Sequence, residues 1–294
     1  MKSGFVAIAG APNAGKSTFL NQVLGFKLAI TSDKPQTTRH RILGVHTDER
    51  RQVVFLDTPG LHTPRRALNQ RMVQTALDAM QEVDAVLFVA EASPRGLTEA
   101  AAVAPLVVKT GRPALLALNK VDLVSKKADL LPMLQQVDGW GRWAAVVPIS
   151  ALTGDGTERV LEELERLLPG DQPLFPDDML TDLSERFLAA ELIREKVFRL
   201  TEREVPYAVA VTVDEFLEPG AEGRPTAITA TIHVERQGQK AIIIGKGGAM
   251  LKKIGTAARL DLERLLGAPV FLSLFVRVEP RWSQEDKGLR KLGY

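Results

Sequence analysis

Gly10 to Ser17 read GAPNAGKS, between a dense apolar run, Phe5 to Ala9, and a helix-compatible stretch, STFLNQVLG. Two glycines, a lysine and a serine at that spacing demand a strand, a tight turn and a helix in succession. The glycines let backbone N–H groups converge, and the helix N-terminus adds its dipole, so the loop is built to hold phosphate oxygens. Gly10, Ala11, Pro12, Asn13, Ala14, Gly15, Lys16, Ser17 and Thr18 are therefore candidates for a nucleotide cradle. Lys16 is expected to reach the β- and γ-phosphates, and the Ser17 hydroxyl to hold Mg²⁺.

A strand that ends in such a loop needs a sheet around it. The first 170 residues supply one by alternating strand-like and helix-like segments. Strands are expected at Phe5–Ala9, Ile42–Thr47, Gln52–Leu56, Ala85–Ala90, Ala114–Leu118 and Ala144–Pro148. Most are apolar throughout, as strands covered on both faces are. Thr157 to Leu168 puts Val160, Leu161, Leu164, Leu167 and Leu168 on one helical face. This pattern predicts an α/β domain over 1–170 with a mostly parallel, doubly wound sheet.

Three further elements follow strands of that sheet, and so stand at its carboxyl edge, where doubly wound folds bind ligands. Asp57 and Gly60 belong to DTPG. The aspartate is placed to reach the Mg²⁺ shell through water, and the glycine N–H to approach the γ-phosphate. Asn119, Lys120 and Asp122 belong to NKVD. Guanine offers two adjacent donors that one carboxylate accepts together, whereas adenine has no such pair, so Asp122 argues for guanine and against ATP. Asn119 is expected to buttress the loop, and the Lys120 stem to pack on the ring. Ser150, Ala151 and Leu152 form SAL, where the Ala151 N–H is expected to meet the guanine O6. Each short motif alone also reads as an ordinary turn or capping loop; their order and placement carry the argument.

With these four elements in order, about the first 168 residues resemble the translation-factor-related class of P-loop GTPases. The resemblance implies a Mg²⁺-sensing threonine in SDKPQTTRHR, the segment that the γ-phosphate orders in such proteins. Thr38 is the choice and Thr37 the alternative; Ser17, Thr38 and Asp57 are then the metal set. Leu61 follows DTPG, where Ras-like enzymes carry a water-orienting glutamine. Leucine cannot bond water, and Arg39 and Arg41 are not obvious internal fingers, so slow hydrolysis is expected. Relatives use an asparagine in the place of Asn13 to hold K⁺, which adds K⁺ to GTP, GDP and Mg²⁺ as a candidate cofactor. Lys16, Asn13, Thr38 and Gly60 are the residues expected to act on the reacting phosphate.

Three prolines, Pro169, Pro173 and Pro176, with a glycine and four aspartates mark 171–184 as a linker. From Leu183 the expected order is α-β-β-α-α-β: a helix to Leu200, strands Tyr207–Phe216 and Thr226–Glu235 joined by a Pro/Gly/Glu loop, a helix–glycine loop–helix, and a strand Val270–Val278. Residues 233–294 hold 12 Lys and Arg against 6 Asp and Glu, whereas 171–232 hold 6 against 13. A basic segment beside an acidic one points to a polyanionic partner for the last part of the chain. Within it, Gly245, Lys246, Gly247 and Gly248 form G-x-x-G, Lys252 and Lys253 add charge, and Ile243 and Ile244 are expected to face unstacked bases. This order resembles a smaller α+β domain of the type II KH class over 185–294, a reader of single-stranded RNA.

The whole chain resembles the bacterial Era family. The resemblance rests on the domain order, PQTTRHRILGVHT, the connector FPDDMLTDLSERFLAAELIREKVF and the terminal LGY. It implies a GTPase that binds the 3′ end of small-subunit ribosomal RNA during ribosome assembly; a cytoplasmic monomer with the 30S subunit as partner is expected. The alternative is a signalling switch whose basic segment contacts protein or an anionic membrane surface, peripheral to the inner membrane. No stretch reads as a signal peptide or a membrane span, and without cysteine neither disulfides nor Cys-based zinc sites are open to the chain.

Overall fold

The computed structural model of the 294-residue chain describes residues 1–62, 67–218 and 225–294. They form two compact units, one running to Asp182 and one from Leu183, with Ala67 and Leu68 grouped with the second.

In the first unit, β1 (Lys2–Gly10), β2 (Ile42–Thr47), β3 (Arg51–Asp57), β4 (Ala85–Glu91), β5 (Ala114–Asn119) and β6 (Val146–Pro148) form a six-stranded sheet ordered β2-β3-β1-β4-β5-β6. All neighbours are parallel except β2 and β3. Helices α1 (Lys16–Leu24), α2 (Ala67–Gln81), α3 (Pro94–Val108), α4 (Leu130–Asp138) and α5 (Thr157–Glu165) accompany it. The apolar runs of β1, β4 and β5 are buried on both faces, as continuous hydrophobicity requires. The chain winds one way from β1 towards β3 and the other way to β4, so the sheet's switch point is the carboxyl end of β1. That is where GAPNAGKS lies.

The expected strands are present with shifted ends. The first begins at Lys2 and the last only at Val146, and α5 stops at Glu165, short of Leu168. In the second unit, α6 begins at Glu185, not Leu183, because the Ser184 hydroxyl accepts from the Phe187 N–H (3.2 Å) and caps the helix. The strand expected from Tyr207 begins at Ala210, after a 3₁₀ turn at Pro206–Ala208.

That unit runs α6 (Glu185–Leu200), β7 (Ala210–Leu217), β8 (Thr226–Val234), α7 (Gln237–Ile244), α8 (Ala249–Leu266), β9 (Val270–Val278) and α9 (Asp286–Lys291). Its sheet is ordered β7-β8-β9, with β7 antiparallel and β9 parallel to β8. The loop expected between β7 and β8 lies largely outside the described residues. The core joins Ile193 and Val197 of α6, Ala230 and Ile232 of β8, and Ile254 and Ala258 of α8. α6 also buries charge: Arg194 bonds Glu191 at 2.7 and 2.6 Å and lies over the Phe198 ring, and Lys196 pairs with Glu195 and Asp261. The terminal LGY is anchored, with the Tyr294 ring 5.4 Å from that of Trp282, whose indole N–H donates to the Ala208 carbonyl.

Residues 171–182 do not hang free. Ser3 Oγ donates to the Gln172 carbonyl, the Val45 N–H to the Leu180 carbonyl, and Thr181 Oγ1 to the Leu43 carbonyl. The fully buried amide of Gln52 accepts from the N–H groups of Leu174 (2.6 Å) and Phe175 (2.9 Å) and donates to the Phe175 carbonyl (2.9 Å). Gln52→Ala therefore leaves three backbone groups without partners and should cost about 1–3 kcal/mol of stability. Hydrogen exchange at Leu174 and Phe175 should quicken in the variant; unchanged protection at those amides would show that the segment is held by something else.

Candidate nucleotide site and nucleic-acid groove

The loop after β1 has the backbone its residues require. Gly15 takes φ +97°, and a Cβ there would sit 2.1 Å from Asn119 Nδ2, so only glycine lets the NKVD loop approach this closely. Asn13 is also left-handed, at φ +62°, and its amide donates to the Asp33 carbonyl (2.7 Å). Gly15 caps α1 without a side-chain partner, leaving the first N–H groups of the helix directed at the loop.

Lys16 is buried. Its ammonium folds back onto the carbonyls of Ala11 (2.9 Å) and Gly10 (3.3 Å). Burial pulls its pKa down to about 8 against the opposing pull of Asp57. Asp57 is fully buried at the end of β3, and desolvation pushes its pKa up to about 6 against the Lys16 charge and the Ser17 hydroxyl. Asp57 Oδ2 accepts from Ser17 Oγ (2.6 Å), and Ser17 Oγ lies 2.8 Å from Thr38 Oγ1. Asp57 Oδ1 is buried with no hydrogen-bond donor among the described residues. One carboxylate and two hydroxyls, all oxygen, with a carboxylate oxygen to spare, fit a hard divalent cation that takes its other ligands from phosphate and water. The two threonines differ: Thr38 is buried beside Ser17, whereas Thr37 Oγ1 is turned to the Lys34 carbonyl (2.7 Å).

Gly60 lies against Pro12 of the loop, whose Cα would be 2.8 Å from a Cβ at that position. The next N–H, of Leu61, donates to the Gly10 carbonyl (3.0 Å), while the Leu61 side chain is buried in the core. It packs where a polar side chain would lack partners. Arg39 is buried, and Arg41 faces Glu82.

At the base-reading end, Asn119 is 2% exposed. Its amide donates to the Ala14 carbonyl (2.8 Å) and its carbonyl oxygen accepts from the Ala151 N–H (2.9 Å). The Ala151 amide, expected to meet the guanine O6, is engaged by Asn119 in this structure. Ser150 is buried, and Leu152 is 73% exposed. Asp122 stands exposed on a 3₁₀ turn following Lys120. Lys120 has φ +66°, and its ammonium pairs with Glu91, a residue that sequence reasoning passed over.

The second unit presents G-x-x-G between α7 and α8. Gly245 has φ +72°, and a Cβ there would meet the Met250 N at 2.8 Å; Gly248 has φ +82° with open space around a Cβ. Lys246, Gly247, Lys252 and Lys253 are exposed. Ile244 is half-buried, but Ile243 is fully buried in the core, so it faces no base. The apolar wall lies elsewhere. A cleft of about 410 Å³ beside the loop is lined by Gly248, Leu251, Lys252, Gly255, Thr256, Arg259, Leu272 and Leu274. The helical members recur at intervals of three and four, a signal available in the sequence of α8. They form one face of α8 beside the inward side of β9.

These features define a P-loop GTPase of the doubly wound α/β class joined to a type II KH domain. The family described as "50S ribosome-binding GTPase" matches residues 5–120, and that described as "KH domain" matches 204–283. GTPase Era of Geobacter metallireducens is 52% identical over 293 residues, covering 100% of this chain and 98% of its own. GTPase Era of Leuconostoc citreum is 48% identical over 296 residues, covering 100% and 96%. A crystal structure of an Aquifex aeolicus Era variant bound to GDP and AlF4⁻ superposes with a TM-score of 0.93 at 40% identity, covering 100% and 99%. One of Era with MgGDPNP and nucleotides 1506–1542 of 16S ribosomal RNA superposes at 0.92, again 40% identical, with the same coverage. The chain belongs to the Era family of GTPases.

The raised pKa of Asp57 sets a sign. Between the ordinary value of 3.8 and about 6, the folded metal-free chain holds a proton there that the unfolded chain releases. Lowering the pH through this window therefore favours the metal-free fold and opposes a cation. The Mg²⁺-dependent gain in GDP affinity should shrink by up to about tenfold per pH unit below 6 and level off above 7. Mg²⁺ titrations at pH 5, 6 and 7 check this; Asp57→Asn should remove the step.

Proposed function

We propose that this GTPase binds the 3′ end region of small-subunit ribosomal RNA through its KH unit and acts in small-subunit assembly, as a nucleotide-controlled switch. The observation that carries the RNA half is the cleft beside G-x-x-G. It combines glycines that admit a sugar–phosphate backbone, the cations Lys252 and Arg259, and an apolar wall of Leu251, Leu272 and Leu274. The basic balance of 233–294, 12 against 6, supplies a long-range attraction. In support, a relative covering the whole chain has been captured with nucleotides 1506–1542 of 16S ribosomal RNA.

On this reading Lys16 steadies the β- and γ-phosphates, and Ser17, Thr38 and Asp57 hold Mg²⁺. Gly60 senses the γ-phosphate and Asp122 reads guanine, with Asn119 fixing both loops. The cation supplies charge stabilisation at the transferring phosphate when bound. Hydrolysis is slow, because Leu61 orients no water, and K⁺ held near Asn13 speeds it. The chain works as a cytoplasmic monomer. No helix among the described residues is long and apolar enough to cross a membrane.

Asp122→Asn should shift preference from GTP towards XTP, since asparagine donates to the xanthine C2 carbonyl and no longer accepts the two donors of guanine. The loss for GTP should be on the order of a few kcal/mol. Retained GTP affinity with no gain for XTP would remove Asp122 from base reading.

The RNA half is tested by titrating the full chain with a single-stranded 3′-end oligonucleotide, and separately with anionic vesicles, in GDP, in a non-hydrolysable GTP analogue and without nucleotide. RNA should bind more tightly than vesicles, with an affinity that falls steeply with salt and differs between nucleotide states. Gly248→Asp should still fold, because a Cβ there meets nothing, and melt somewhat below the parent, because its φ of +82° strains any residue but glycine, yet lose about tenfold or more in RNA affinity. Parental RNA affinity in that variant would take the loop out of the interface. Equal RNA affinity in all three nucleotide conditions would leave two independent modules on one chain.

A further inference from the structure

The NKVD loop carries a lysine whose methylene stem is useful over a purine ring only if its far end is held. A lysine side chain has up to about 2 kcal/mol of rotamer entropy to lose. Lys120 also has φ +66°, a left-handed backbone that a residue with a Cβ seldom adopts without support. The support comes from β4. Glu91 is the last residue of that strand and the register partner of Asn119 at the end of β5. The neighbouring Ala92 N–H donates to the Asn119 carbonyl (2.8 Å), locking the two strand ends together.

The Glu91 carboxylate is held at both oxygens. Oε2 takes the Lys120 ammonium, and Oε1 accepts from Ser93 Oγ (2.9 Å). Ser93 Oγ in turn accepts from the Gly96 N–H (3.0 Å) and caps α3. The guanine-reading loop is thereby tied through one carboxylate to the first turn of a helix packed on the sheet. Both partners are about 30% exposed, Lys120 at 31% and Glu91 at 29%, so the pair is neither freely solvated nor locked away. Lys120 and Ser93 hold the Glu91 carboxyl below the usual carboxylate range against partial desolvation, so it stays ionised at neutral pH.

We propose that Glu91 is a positioning residue for guanine-nucleotide recognition: it anchors the Lys120 ammonium so that the lysine stem is pre-set against the purine face. This rests on the guanine-nucleotide reading of the site. Glu91 touches neither the phosphates nor the reacting atoms, so it should act on binding and spare the chemical step. Anchoring a side chain in advance raises affinity by reducing what binding has to order.

Glu91→Ala and Glu91→Gln are measured in the full chain for GDP and non-hydrolysable GTP affinity, for GTP turnover and for thermal melting. In Glu91→Ala, Kd for both nucleotides and KM should rise together by about 3- to 10-fold, with kcat within about twofold. Glu91→Gln should fall between it and the parent, because the amide still accepts from Lys120 without the charge, and it serves as the test if the alanine variant fails to fold. A double-mutant cycle with Lys120→Met, which keeps the stem and removes the ammonium, separates positioning from a general loosening of the strand end. If Glu91 acts through Lys120, adding Glu91→Ala to Lys120→Met should change nothing further. Unchanged affinity, additive losses in the cycle, or a fall in kcat at constant KM would each overturn the proposal. A parent chain that does not bind GDP would instead sink the guanine-nucleotide reading, and this inference with it.

Discussion

One buried side-chain amide ties the nucleotide site together. Asn119 donates to the carbonyl of Ala14 and accepts from the N–H of Ala151, so loops far apart in sequence are fixed to one another by a residue in a third. Each bond alone is worth about 0.5–1.5 kcal/mol, but removing the amide strands two buried backbone groups, at about 1–3 kcal/mol each. The contact is possible only because Gly15 has no side chain, since its Cβ position lies 2.1 Å from the Asn119 nitrogen. The arrangement of β1, β5 and the turn after β6 at one sheet edge becomes a site through this single residue.

Two opposite charges are then buried where a neutral pair would pack better. Lys16 and Asp57 are both desolvated, the first with its pKa near 8 and the second near 6, and each limits the other's shift. Near neutral pH both are still largely ionised, in surroundings that penalise ionisation. On the proposed reading, phosphate oxygens would relieve the lysine and a divalent cation the aspartate. The cost of burying this charge pair marks it as a functional site, in the usual relation between a site and local instability.

The nucleotide motifs were legible because each is short, contiguous and attached to a buried strand. Thr38 and Thr37 could not be separated that way; only the fold brings one hydroxyl to Ser17 and turns the other to Lys34. Glu91 was invisible because its partner is across two strand ends, at a sequence distance of 29 residues. The misplacement of Ile243 has a different cause. Three isoleucines in a row leave the helical phase undecided, and packing against β8 and α8 assigned the buried position. The apolar wall of the cleft belongs to α8 and β9, where Leu251, Leu272 and Leu274 read as plain core. In 171–184, prolines and aspartates correctly signal the absence of helix and strand, but composition is silent about a buried glutamine on another strand that clasps the segment.

That clasp changes the mechanics of the connector. A free coil of 14 residues has a root-mean-square reach of about 20 Å, on the usual scaling of 5–6 Å times the square root of length. Here the coil is seamed to the first unit as far as Thr181, and Ser184 already caps the next helix. Two residues stand between that last hydrogen bond and the cap. The connector up to Thr181 is therefore mechanically part of the first unit, an extension of its sheet edge and not a free coil. The seam also runs along Leu43 and Val45 of β2, the strand that follows the Thr38 segment. A displacement of that strand is therefore felt at once by residues 180 and 181, which move with it.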